Sequence, residues 1–226
     1  MGEPVIRLHN VTKKYELEGK SLPVLRGISF EVTKGQVVAI IGSSGAGKST
    51  LLHIMGGLDK ASGGEVEVAG KRLDSMRATD LADFRNRHIG FVFQFHHLLP
   101  EFTAAENVAM PLLIRGTPLR PALAKAGEYL ALVGLADRAV HKPAELSGGE
   151  QQRVAVARAL IPMPDVVLAD EPSGNLDSEN GERLHSLLWD ISRTENRTFV
   201  IATHNADLAQ RADRVLHMRD GVLADI

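Results

Sequence analysis

Apolar and polar positions alternate along Val5–Val11 and again along Ile28–Val32. A period of two is that of strands with one face on a core and one on solvent, as in an antiparallel sheet. The pattern changes at Gln36–Ile41, a short unbroken apolar run that opens into a glycine-rich stretch. It predicts a buried strand, and the good helix formers Leu51–Met55 predict a helix after the loop. Glu65–Val68 and Ile89–Phe93 read as further strands, and the apolar, β-branched runs Val166–Ala169 and Thr198–Ala202 as buried ones. Gly148–Ile161 and Glu179–Ile191 carry helical periodicity, so strands and helices alternate through the second half. Thr103–Gly134 differs: it is rich in Ala and Leu, helically spaced and broken by Pro111, Pro118 and Pro121. The reading is one α/β domain over residues 1–226, with a helical insertion over about residues 95–147.

Composition narrows the setting. With 226 residues, 44% hydrophobic and 24% charged, the chain can bury a sizeable single core. A net charge of −2 offers no general attraction to nucleic acid or anionic lipid. The absence of cysteine removes disulfides and thiolate chemistry and fits a reducing compartment. No apolar run approaches the ~20 residues that span a bilayer. The start, Met1-Gly2-Glu3-Pro4-Val5, has neither the basic region nor the apolar stretch of a signal peptide, and Ile6 stands where myristoylation would want Ser or Thr. A role at a membrane would require a membrane-embedded partner.

Candidate chemistry begins at Gly42-Ser43-Ser44-Gly45-Ala46-Gly47-Lys48-Ser49, the G-x-x-x-x-G-K-[ST] phosphate cradle. Its glycines let backbone N–H groups approach phosphate oxygens, and the following helix adds its positive end. Lys48 is expected to reach the β- and γ-phosphates and the Ser49 hydroxyl to ligate Mg²⁺. The run Val166–Ala169 ends in Asp170 and Glu171. Asp170 is placed to hold Mg²⁺ through water, and Glu171 to polarise a water in line with the γ-phosphate. A second glycine-rich turn, Leu146-Ser147-Gly148-Gly149-Glu150-Gln151, stands just before a predicted helix. On its own it fits a plain capping box, or a second anion-binding helix N-terminus. His96 and His97 are adjacent, diverge in direction and suit no metal site.

Together the two glycine motifs resemble those of the ATP-binding cassette ATPases, and the likeness covers essentially the whole chain. It implies a P-loop NTPase (RecA-like) core with an N-terminal antiparallel β subdomain and an inserted helical subdomain. It implies a homodimer in which Ser147, Gly148, Gly149 and Glu150 close over ATP held by the other copy. Gln94 matches the glutamine that contacts Mg²⁺ or water and relays nucleotide state to the insertion. Ser173-Gly174-Asn175-Leu176-Asp177 matches the interface-crossing loop that includes Asp177, and His204 the switch histidine of the γ-phosphate. Tyr15 matches the aromatic that stacks on adenine, and Thr50 follows the cradle toward the same nucleotide. Ser173 stands where Thr is common.

Phe93-Gln94-Phe95-His96-His97-Leu98-Leu99-Pro100, with Asp170-Glu171-Pro172-Ser173-Gly174-Asn175, is similar to the subfamily serving lipoprotein release and macrolide export, most of all to ATPase subunits of lipoprotein-releasing systems. The expectation is a peripheral ATPase on the cytoplasmic face of a bacterial inner membrane, driving membrane subunits through exposed Phe95, Leu98, Leu99 and Phe102. Macrolide or peptide efflux is the alternative. A soluble cassette acting on DNA or ribosomes would carry coiled coils, zinc cysteines or a second cassette, and a small-molecule kinase would leave Leu146–Gln151 and His204 unexplained.

Overall fold

A computed structural model describes residues 3–17 and 20–224, so the N-terminal reading of Met1 and Gly2 lies outside the described residues. The alternating segments form longer strands than the pattern suggests. β1 (Pro4–Leu17) and β2 (Lys20–Thr33) pair antiparallel and join β4 (Gly63–Val68) and β5 (Lys71–Arg72) in the order β2-β1-β4-β5. The second sheet runs β10-β9-β3-β8-β7-β6. Its centre is β3 (Val37–Ile41), parallel to β8 (Thr198–Thr203) on one side and β9 (Arg214–Arg219) on the other. β7 (Val166–Asp170) and β6 (Ile89–Val92) continue the parallel order, and β10 (Val222–Ala224) closes one edge antiparallel.

Burial on both faces explains the unbroken apolar runs. Along β7, Val166 and Leu168 enter one core while Val167 and Ala169 enter the other. β8 divides in the same way, with Val200 and Ala202 opposite Phe199 and Ile201. One core lies between this sheet, α1 (Lys48–Met55) and the antiparallel sheet; the other lies under the remaining large helices. Those are α5 (Gly148–Leu160), α6 (Ser178–Glu195), and the insertion's α3 (Ala104–Ile114) and α4 (Leu119–Leu132), which pack on each other and on α5.

Pro111 does not break the insertion as its residue type suggests. It sits inside α3, whose buried Ala104, Asn107, Val108 and Ala109 hold the helix by packing despite one missing N–H bond. Pro118 is the N-cap of α4. Elements that the apolar pattern did not announce are α2 (Ala78–His88), the short α7 (Ala206–Gln210), β5, β9 and β10. α2 buries only Leu81 and Phe84, too little for a visible stripe. Leu98, expected to be exposed, is 9% accessible and belongs to the core, while its neighbours Phe95 and Leu99 face outward.

Candidate nucleotide-binding site

The cradle occupies the turn from β3 into α1. Gly45 and Gly47 take φ of 81° and 102°, the left-handed region open to glycine. Gly42 is required for another reason: a Cβ there would lie 2.2 Å from the backbone oxygen of Met218. Gly47 is also the N-cap of α1, and no side chain caps that helix. Its first N–H groups are therefore available to an anion. Lys48 is 8% exposed, and its ammonium donates to the carbonyls of Gly42 at 2.8 Å and Ser43 at 3.3 Å. Ala46 is buried beneath the loop.

β7 ends alongside. Glu171 follows it with φ of 45°, a strained value for a side chain of its size. That turn is held by its N–H donating to the Ala202 carbonyl at 2.9 Å. The Glu171 carboxylate lies 3.0 Å from His204 Nδ1 and 3.8 Å from Lys48 Nζ, and accepts from the His204 backbone N–H at 3.3 Å. Asp170 Oδ1 is buried without a hydrogen-bond partner. Burial raises the Asp170 pKa, against the opposing influence of the Ser49 hydroxyl. Gln94, just past β6, exchanges two bonds of 3.1 Å with Asn175: its side-chain amide nitrogen donates to Asn175 Oδ1, and Asn175 Nδ2 donates to the Gln94 backbone carbonyl.

These residues surround a cleft of ≈ 770 Å³. Ser44, Gly45, Gly47, Lys48, Ser49 and Thr50 of the cradle line it together with Gln94, Glu171 and His204. Val24 from β2 also lines it, a contributor that nothing in the strand pattern distinguishes. Tyr15 is not among the lining residues. It is 37% exposed, its hydroxyl donates to Asp59 at 2.6 Å, and the Lys13 ammonium sits 4.6 Å from its ring centroid. The bond to Asp59 is the first cause of its raised pKa.

None of Ser147, Gly148, Gly149, Glu150 or Asp177 lines the cleft. Ser147 caps α5 in a complete capping box: its hydroxyl accepts from the Glu150 N–H at 3.3 Å, and Glu150 accepts from the Ser147 N–H at 2.8 Å. The Ser147 N–H, Arg138 at 3.0 Å and the Ser147 hydroxyl hold the Glu150 pKa down to about 2. Asp177 caps α6 by accepting from the Asn180 N–H at 2.9 Å. The two helix starts abut, since a Cβ on Gly149 would meet the Asn180 side chain at 2.9 Å.

A glycine loop feeding a helix that begins with a lysine, with two carboxylates at the end of β7, one strand removed from β3, defines a P-loop nucleoside triphosphatase. The ABC transporter family profile matches residues 25–174, and the chain belongs to that family. It is 55% identical over 217 residues to the lipoprotein-releasing system ATP-binding protein LolD of Bacteroides fragilis, covering 96% of this chain and 99% of the relative. It is 49% identical over 226 residues to the protein of the same name from Hahella chejuensis, covering 100% and 98%. Among solved structures it is similar to a dimeric ATP-binding cassette in a post-hydrolysis state bound to ADP and Pi, with a TM-score of 0.90, 38% identity and 97% coverage of each chain. This is an ATP-hydrolysing cassette.

Proposed function

We propose that this chain is the ATPase subunit of a lipoprotein-releasing transport system, acting as a homodimer on the cytoplasmic side of membrane subunits. The observation that supports the dimer is the separation within one chain: Ser44, Gly45, Gly47, Lys48, Ser49 and Thr50 of the cradle line the cleft with Glu171, while Ser147–Glu150 caps a helix outside it. A second copy placed head to tail brings its α5 N-terminus to the first copy's ATP. The relatives' shared name supports lipoprotein release over efflux. Among the described residues no helix is long and apolar enough to cross a membrane, so the membrane part belongs to partners. Exposed Phe95, Leu99 and Phe102 are the surface for them.

Each group then has a task. Lys48 turns its ammonium from the Gly42 and Ser43 carbonyls to the β- and γ-phosphates, and the cradle N–H groups hold their oxygens. Thr50 and Val24 line the nucleotide's flank, and Tyr15 stands beside it, moored to Asp59. Glu171 positions and polarises the attacking water, while His204, already 3.0 Å away, steadies that carboxylate and reaches the γ-phosphate. The unpartnered Oδ1 of Asp170, next to the Ser49 hydroxyl, fits a cation. Ser49, Asp170 and Gln94 would hold Mg²⁺, which supplies charge neutralisation on the phosphates. Asp177 lies on the dimer face.

Because ATP touches both copies only when they close, its binding shifts the open–closed equilibrium. Glu171→Gln keeps the binding groups and removes the base. We expect turnover to fall at least ~100-fold, with an ATP-dependent dimer on gel filtration. A Glu171→Gln chain that hydrolyses ATP at the wild-type rate would overturn the assignment.

A further inference from the structure

From Phe93 to Thr103 the chain forms neither strand nor helix, so its backbone groups need partners from elsewhere. Side chains of two helices supply them. Gln152, buried on α5, donates to the Phe93 carbonyl at 2.8 Å. Asn107, wholly buried on α3, donates to the Leu99 and Phe102 carbonyls at 3.0 Å and accepts from the Leu99 N–H at 2.7 Å. Between them, Arg158 of α5 donates to the His97 carbonyl at 2.7 Å and the His96 carbonyl at 2.6 Å. His97 is itself held at a left-handed φ of 44°.

Arg158 is half-buried, and desolvation pushes its pKa down; among the described residues no carboxylate pairs with it. A desolvated guanidinium without a counter-charge is costly, so its two carbonyl bonds are what this position retains it for. They use the planar fork that lysine lacks. The loop they fix presents Phe95, 63% exposed, and Leu99, 42% exposed. Arg158 stands near the C-terminal end of the helix that Ser147 begins, roughly 16 Å along its axis.

We propose that Arg158 is a positioning residue that locks the 93–103 loop onto α5, so that the glycine-signature helix and the apolar loop move as one body. Engagement of the α5 N-terminus by nucleotide is thereby delivered to the surface that faces the membrane subunits. The inference rests on the dimer and membrane-partner reading above.

The test compares hydrogen–deuterium exchange in the full chain, as wild type, Arg158→Lys and Arg158→Ala. In Arg158→Lys, exchange across 95–103 should speed by about tenfold. Peptides from 42–55 and 148–160 should exchange as in wild type, and KM and kcat for ATP should stay within about twofold. In proteoliposomes with the membrane subunits that co-purify with the wild-type chain, lipoprotein released per ATP should fall by about tenfold. Unchanged exchange in 95–103 overturns the lock, as does release that falls only in step with hydrolysis. If Arg158→Ala fails to fold, the lysine variant carries the comparison. A wild-type chain that releases no lipoprotein defeats the cargo reading, while the exchange data still decide on the lock.

Discussion

Two helix N-termini in this molecule carry glycines, before α1 and in the first turn of α5, and differ in how their backbone donors are met. At α1 the cap is Gly47, left-handed and without a side-chain bond, and the donors open into the cleft. At α5 the cap is Ser147, and a capping box with Glu150, itself paired with Arg138, satisfies the Ser147 and Glu150 N–H groups from within the chain. The first is built to be completed by a phosphate that its own chain holds. The second is capped by side chains of its own chain and meets an anion only when another molecule brings one. The same electrostatics of a helix start serve binding in one place and, alone, stability in the other.

Substitutions should separate the two. The largest effect is expected at the cleft: Lys48→Ala removes charged hydrogen bonds worth about 1.5–3 kcal/mol to a phosphate. Nucleotide affinity measured by calorimetry should fall at least ~10-fold. Near-normal affinity would break the cleft side of the comparison.

At α5 the signature of self-sufficiency is acid sensitivity. Glu150 has a folded pKa of about 2, below the ~4.3 of a free glutamate. Its contribution to stability is therefore fully present above the free value and is lost as pH falls through the folded one. Thermal melts should show wild type more stable than Glu150→Gln near neutrality, with the gap closing between about pH 4.5 and 2. A gap that is independent of pH would mean the box is not what holds that turn.

The smallest effect is expected at a contact outside both helix starts. Asn175 clasps the cleft-lining Gln94 by two 3.1 Å bonds. Asn175→Ala should lower kcat by about 3–10-fold, the worth of one or two such bonds, with KM for ATP little changed. A KM effect larger than the kcat effect would place Asn175 in binding instead.

The cradle, the Asp170-Glu171 strand end and the parallel core were legible because each depends on residue types at fixed local spacing. What escaped depends on distant partners. The bond from Tyr15 to Asp59 spans 44 positions and leaves no periodic trace. Leu98 is buried between two exposed neighbours because its loop is irregular, where period rules do not apply. α2 shows only two buried positions, and Pro111 is absorbed into α3 by packing. Arg158 and Asn107 look like ordinary helix residues, since their partners are backbone carbonyls that carry no residue identity.

The central claim is that one copy's α5 N-terminus completes the other copy's ATP site. Gly148 allows a clean test, because a Cβ there meets only a Leu176 methyl at 4.0 Å. Gly148→Asp therefore adds a carboxylate where the Cβ itself meets no clash, at a helix position where it is electrostatically favourable. Light scattering with excess ATP should show Glu171→Gln as a dimer, and Glu171→Gln/Gly148→Asp as a monomer that still binds ATP. Equal dimerisation of the two chains would contradict the account.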